Sequence, residues 1–361
     1  MRNRRDFLKT MAGATAGMLL AGSGLEAAAQ ESQAAAGKRR VVTVGGRRAK
    51  VIDIHSHCMF PEVADVIKGT SLDRRIPTKG PQILGPDRVQ KLDERGIDVQ
   101  ALCVNVFWWY ATTDRDLASK IVSVNDEGLA KWCKAHPDRF VALSSVALQF
   151  PDLAAEQLEH AMKDLGLRGA AIGGHVEGQP LSDPKFDPFW AKAEELGALV
   201  FMHPGGAVNV VKEDALKGRG DPGNIIGDPL ETTVFLSHMI FDGTLDRFPG
   251  LKICGAHAGG YLPSYLGRSD VACEVRPNAN CANKKSPREY FKDQILADSM
   301  IFEEEGLRHL VAEMGPGQVV YGTDMPFNWP DGLDLILQAD FLNDAQKEMV
   351  LGGNLSKLLK I

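Results

Sequence analysis

Two histidines one residue apart close an apolar run, Val51-Ile52-Asp53-Ile54-His55-Ser56-His57. The run is short and β-branched and follows a Gly45-Gly46 turn, which predicts a buried strand. Side chains alternate faces along a strand, so His55 and His57 project to one side. Two imidazoles there can grip a divalent cation. Taken alone, the pair could be two surface histidines. Three later segments carry groups that complete a site: Phe201-Met202-His203-Pro204, Gly255-Ala256-His257-Ala258-Gly259-Gly260 and Tyr321-Gly322-Thr323-Asp324. Separately, His203 could be a satisfied core histidine and Asp324 a turn residue. Jointly, imidazoles plus a carboxylate make a usable divalent-metal site. A cation held there would acidify a bound water and polarise a carbonyl or carboxylate.

His257 is the candidate general base beside this set, because an imidazole has the right ordinary pKa. A histidine capping the next helix is the alternative. Asp53 shares the strand parity of His55 and should face inward, either orienting a histidine or serving as a buried structural acid. His175, in Gly173-Gly174-His175-Val176, lies near the expected rim and could touch substrate.

These residues need elements that bring them together. Eight strand-like runs alternate with helix-like stretches: Lys50–His55, Val99–Asn105, Phe140–Ser144, Gly169–Gly173, Ala198–His203, Lys252–His257, Gln294–Asp298 and Gln318–Gly322. Amphipathic segments such as Asp116–Ala135, Asp152–Leu165, Asp187–Leu196 and Glu303–Met314 lie between them. The alternation predicts an α/β fold, a (β/α)8 TIM-type barrel over residues 50–361, with reactive groups at the carboxyl ends of its strands. An open doubly wound sheet is the runner-up, disfavoured because no Gly-rich phosphate loop follows the first strand. Asp228-Pro229-Leu230-Glu231 reads as a helix start. The long, Gly-rich stretch from Gly205 to Gly227 is a candidate lid or substrate loop.

The N-terminus reads differently. Arg4-Arg5-Asp6-Phe7-Leu8-Lys9 is a twin-arginine signature, followed by an uncharged Ala/Gly/Leu-rich stretch and Ala27-Ala28-Ala29 as a cleavage site. Residues 1–29 are thus expected to be a signal peptide and the protein periplasmic. Residues 30–49 read as a linker and a short hairpin. Removing residues 1–29 takes away four basic and two acidic side chains, leaving 37 and 45 of the original 41 and 47, net −8. That balance argues against nucleic acid or an anionic membrane as partner. The six cysteines show neither zinc spacing nor a disulfide scaffold. Cys103 and Cys254 belong to apolar runs, and Cys273 and Cys281 could pair after export. Cys58 should face away from His57.

The motifs Ile54-His55-Ser56-His57, Met202-His203-Pro204, Ala256-His257-Ala258-Gly259-Gly260 and Gly322-Thr323-Asp324-Met325-Pro326-Phe327 resemble those of the amidohydrolase-related decarboxylases typified by aminocarboxymuconate semialdehyde decarboxylase. The similarity also takes in Arg95-Gly96-Ile97-Asp98-Val99-Gln100, Glu231-Thr232-Thr233 and Gly353-Asn354. The resemblance implies that His55, His57, His203 and Asp324 bind one divalent metal, most naturally Zn2+ with Mn2+ as the other option. The fourth strand lacks the lysine that bridges two metals in binuclear members. It further implies His257 as acid/base, with His257 or Asp324 moving the proton. Arg268 and Arg276 would hold a substrate carboxylate, one of them across a homodimer interface. The implied reaction is non-oxidative decarboxylation of a small aromatic or unsaturated carboxylic acid. A hydrolase of an ester, lactone or amide is the alternative, and a non-enzymatic binding protein the third. The chain departs from the decarboxylase after Pro204, where Gly205-Gly206 replaces a tryptophan, and through Val208–Asn224, which lacks the expected aromatic residues.

Overall fold

A computed structural model describes residues 39–361 except 77, 78 and 213. The twin-arginine segment and the linker before residue 39 lie outside the described residues. A two-stranded antiparallel hairpin, Thr43–Val44 with Arg47–Arg48, turns at Gly45-Gly46 and precedes the main body. The barrel strands follow: β1 Ile52–Asp53, β2 Val99–Val104, β3 Phe140–Ala142, β4 Gly169–Ile172, β5 Leu199–Met202, β6 Lys252–Gly255, β7 Ile295–Asp298 and β8 Val319–Val320, with short pairings at His57–Cys58, His175–Val176 and Gln179–Pro180 at its rim. Each barrel strand corresponds to one of the runs read from the sequence.

Neighbouring strands of the barrel pair in parallel. Ile52 registers with Val99, Gln100 with Phe140, Leu199 with both Gly169 and Lys252, Ile253 with Ile295, and Ala297 with Val319. A bridge between Ser144 and Ala170 joins β3 to β4. The first and last strands meet through Ile54 N donating to Tyr321 O (3.1 Å) and His57 N to Met325 O (2.7 Å). The sheet therefore closes into a (β/α)8 barrel. Every residue of β2, β4, β5 and β7 is buried, as expected of strands with a filled interior on one side and helices on the other.

The principal helices are α1 Pro86–Arg95, α2 Arg115–Ala135, α3 Pro151–Lys163, α4 Asp187–Leu196, α5 Asp228–Phe241, α6 Leu266–Val275, α7 Glu304–Met314 and α8 Asn354–Leu359. Local chemistry sets their ends. Proline occupies the first turn of α1, α3, α4 and α5, where its missing N–H is harmless. Asp114 caps α2 by accepting from Leu117 N (3.0 Å). Gly96 and Gly197 stop α1 and α4 in left-handed conformations. Cys273 and Cys281 form a disulfide that staples the end of α6 to the following turn, whereas Cys103 and Cys254 are free and buried. Among the described residues no helix is long and apolar enough to cross a membrane.

Candidate active site and metal centre

His55 and His57 lie just beyond β1, His203 follows β5, His257 follows β6 and Asp324 follows β8, so all five gather at the carboxyl end of the barrel. One ligand atom from each of His55, His57, His203 and Asp324 lies within 4.8 Å of the others, and all four residues are buried. Asp324 Oδ1 stands 2.7 Å from His57 Nε2 and 3.2 Å from His55 Nε2. Yet Nε2 of His55, His57 and His203 and Oδ1 of Asp324 are all buried without an aligned hydrogen-bond partner. Four convergent polar atoms left unpaired out of water are costly unless something shared satisfies them. A single divalent cation fits that donor set.

The other nitrogen of each imidazole explains why Nε2 is presented. His55 Nδ1 donates to Asp298 Oδ2 (2.6 Å), and His203 Nδ1 donates to Pro204 O (2.8 Å). His57 Nδ1 lies 3.1 Å from the Asn105 side-chain amide, whose Oδ1 has no partner. Turning that amide over lets Asn105 accept from His57. Each ring is thereby set with its Nε2 lone pair inward, an outer-layer arrangement common to metal-binding histidines.

The electrostatics agree. Burial pushes the pKa of His57 down, against Asp324, and pushes that of His203 well below the usual imidazole value, helped by the neighbouring histidines. Burial also opposes a charge on His55, but the carboxylates of Asp324 and Asp298 outweigh it and raise its pKa to about 10. Burial opposes ionisation of Asp324, and His55 and His57 overcome it, holding the carboxyl below its ordinary range. His57 and His203 are thus neutral and Asp324 ionised, as a cation requires, whereas His55 between two carboxylates holds a proton that a bound cation would displace.

His257 stands apart from the ligand set. Its ring centre is 5.1 Å from that of His55 and 5.2 Å from that of His203. Burial and the nearby His55 lower its pKa to about 4. Its Nδ1 is buried and unpaired, and its backbone adopts φ 54°, as Ala258 adopts 57° and Asp324 56°. Left-handed conformations at non-glycine residues need support from their surroundings. Asp298 supplies it, accepting from His257 N (3.1 Å) and Ala258 N (2.8 Å) while also holding His55.

Asp53 is buried and does not reach an imidazole. It accepts from His55 N (3.0 Å), Gln100 Nε2 (2.7 Å), Thr323 N (3.1 Å) and Thr323 Oγ1 (2.6 Å), clamping the start of the site to its end. Arg88, 2 % exposed, donates to His57 O (2.9 Å) and Gln100 Oε1 (3.1 Å). Glu231 does more than favour a helix start. From within α5 it accepts from Gly174 N (3.1 Å), Gly205 N (2.9 Å) and Ala207 N (2.9 Å), tying the loops after β4 and β5 together.

A cleft of about 660 Å³ opens onto these groups, lined on one side by His57, His203, His257 and Asp324 and on the others by Met59, Gln82, Asn105, Val106, Asp221, Asn224, Asp228, Phe327 and Trp329. Gly205, Gly206 and Gly223 also line it, so part of the Gly205–Gly227 loop forms its wall. His175 does not. Its Nδ1 accepts from Gly178 N (3.1 Å) and its Nε2 donates to Val208 O (2.5 Å), which makes it a loop fastener instead of a substrate contact. Arg268 and Arg276 are exposed on α6 and directly after it, and neither lines the cleft of the single chain. Sequence reasoning missed Asp298, Asn105 and Asp228. For Asp298 a signal existed: an acid at the end of the seventh apolar run.

The chain belongs to the amidohydrolase family, whose profile matches residues 52–361. The 2-amino-3-carboxymuconate-6-semialdehyde decarboxylase of Dictyostelium discoideum is 35 % identical over 280 residues, 76 % of each chain. The gamma-resorcylate decarboxylase of Rhodococcus jostii is 28 % identical over 288 residues, 76 % of this chain and 87 % of that one. Among solved structures, 5-carboxyvanillate decarboxylase of Sphingomonas paucimobilis shares the fold with a TM-score of 0.78 at 24 % identity, covering 87 % of this chain and 99 % of that one. The Novosphingobium aromaticivorans enzyme of the same name, solved with bound manganese, matches with a TM-score of 0.79 at 24 % identity over 89 % of this chain and all of that one.

Proposed function

We propose that the protein is a metal-dependent, non-oxidative decarboxylase of a small aromatic or unsaturated carboxylic acid. The observation that carries this is the meeting, in one cleft, of four unpaired ligand atoms with the unpaired Nδ1 of His257. The decarboxylase relatives in this family support it. His55, His57, His203 and Asp324 would hold the cation, which would supply positive charge for binding the substrate and withdrawing electron density from it. Met59, Val106, Phe327 and Trp329 give the cleft apolar surface for a flat ring. As the carbon–carbon bond breaks, CO2 departs and the electron pair stays on the ring carbon. His257, neutral at rest, relays to that carbon a proton that it takes up from water, with its unpaired Nδ1 as the acceptor. Asp324, kept ionised by its neighbours, suits proton acceptance better than donation.

Three histidines and one carboxylate favour zinc, while manganese in a solved relative supports that ion. We infer a homodimer that brings an arginine to the cleft, because Arg268 and Arg276 share an exposed segment with Tyr265, Val271 and Val275. We infer twin-arginine export as well, a reading that the Cys273–Cys281 disulfide favours. Arg4→Lys with Arg5→Lys should leave the protein in the cytoplasm, and unchanged export would reject this.

Purified protein loaded with zinc or manganese and offered a panel of aromatic acids in D2O should release CO2 and leave one deuterium on the ring. Products carrying an added water would instead establish the hydrolase.

A further inference from the structure

A second cavity, of about 160 Å³, adjoins the metal cleft. Val106 and Gly205 line both and so frame the opening between them. Val106 follows Asn105, whose side chain faces His57, and Gly205 lies two residues beyond His203. The opening therefore stands beside two of the metal ligands. Gly205 leaves it clear. A Cβ at this position would have no neighbour nearer than Glu231 Oε2, 3.9 Å away, and the backbone there is not left-handed. Neither close packing nor conformation demands glycine, but a larger side chain would enter open space at the junction.

Inside, Phe107, Trp108, Tyr110 and Val208 make the lining mainly apolar. The rings of Phe107 and Tyr110 stack with centres 5.5 Å apart, and both are buried. Val208 is fixed over the cavity by its carbonyl, which accepts from His175. Glu231 also borders it, but three backbone N–H groups already engage its two oxygens. The Tyr110 hydroxyl is not so engaged. Gly173 N–H approaches its oxygen, yet the group has no aligned partner, and burial pushes its pKa up, so the proton stays on. A buried O–H without an acceptor is costly until something supplies one. A cavity of about 150 Å³ is large enough for a benzene ring. We propose that this side cavity is a specificity pocket, and that the substrate, bound at the metal centre by its carboxylate, carries an uncharged, mainly apolar arm that passes Gly205 and ends in a hydrogen-bond acceptor for Tyr110 Oη. This rests on the decarboxylase reading only in taking the metal cleft as the substrate site.

The test is binding, measured by calorimetry on the metal-loaded full chain. The probes are benzoate, 3- and 4-(3-methylbutyl)benzoate, and 3- and 4-(3-oxobutyl)benzoate, in which a carbonyl oxygen replaces one methyl group. At one position of attachment or both, the armed acids should bind about tenfold or more tightly than benzoate, as burial of a short aliphatic arm implies. Tyr110→Phe should weaken that oxobutyl acid about fivefold and its methylbutyl partner less than about twofold, the difference being one hydrogen bond. Gly205→Leu should cut the preference for the armed acids over benzoate to about twofold or less, and Gly205→Ala should cut it part-way. Metal content and melting temperature show which variants are intact, and Tyr110→Phe and Gly205→Ala decide the matter if Gly205→Leu does not fold. Armed acids that bind no better than benzoate, a preference that survives the Gly205 variants, or a Tyr110→Phe effect that does not distinguish the two arms would overturn the proposal. CO2 release is scored separately: an armed acid that binds tightly and loses no CO2 counts against the decarboxylase reading alone.

Discussion

Asp298 Oδ2 sits 2.6 Å from His55 Nδ1 while the same side chain receives the backbone N–H groups of His257 and Ala258. One carboxylate thus orients a metal ligand and holds the proton-transfer residue in its left-handed turn. Asp298→Asn should weaken metal affinity by roughly ten- to a hundredfold, the usual penalty for losing such a partner. Metal titration checks this, and decarboxylation restored by excess metal should still run slowly because His257 is also released.

Removing a ligand is more drastic. His57→Ala should leave the protein without stoichiometric metal and without turnover, as elemental analysis and CO2 release will show. Full activity in a verified metal-free variant would refute the assignment of the centre.

His257 answers a different question. His257→Gln keeps all four metal ligands, so metal content should match the parent protein. Turnover should fall about 10²- to 10⁴-fold, the range for loss of a positioned acid or base. Loss of metal together with activity would move His257 into the ligand set.

Loop fastening is tested at Glu231. Glu231→Gln leaves one good acceptor for three N–H groups, those of Gly174, Gly205 and Ala207. The expected result is faster hydrogen exchange at those amides and a higher KM with a smaller change in kcat.

Away from the site, Asp126 is a pH-dependent contributor to stability. Burial raises its pKa from 3.8 to about 6, despite hydrogen bonds from Ser144 and Ser145. The folded state therefore binds this proton more tightly than the unfolded state. The stability so gained is complete below pH 3.8 and is lost as pH rises through about 6. Two pKa units correspond to about 3 kcal/mol. Denaturant melts of Asp126→Asn should lack this decline, so the parent's stability relative to the variant should fall between pH 4 and pH 7.

Much of the fold was legible because each strand is a compact apolar run, and the ligands stand where those runs end. His55 and His57 announced themselves by spacing. His203 and Asp324 needed the barrel closure to become their neighbours. Asp53 was correctly placed inside, but its partners, Gln100 and Thr323, come from other strands and no local pattern names them. Asp298 was hidden because one acid at a strand end reads as any polar boundary. Asp228 and Glu231 looked like helix-start residues, since a helix N-terminus favours acids whatever else they do. Only the loops folded over them give each carboxylate its own task.

The seam where β1 meets the last strand runs through Ile54–Tyr321 and His57–Met325. It coincides with the place where His55 and His57 face Asp324. An ion lodged there acts as a rivet between residues some 270 positions apart in the chain. Chelation should accordingly loosen the molecule first along that join, and ion uptake and completion of the ring become two aspects of one event.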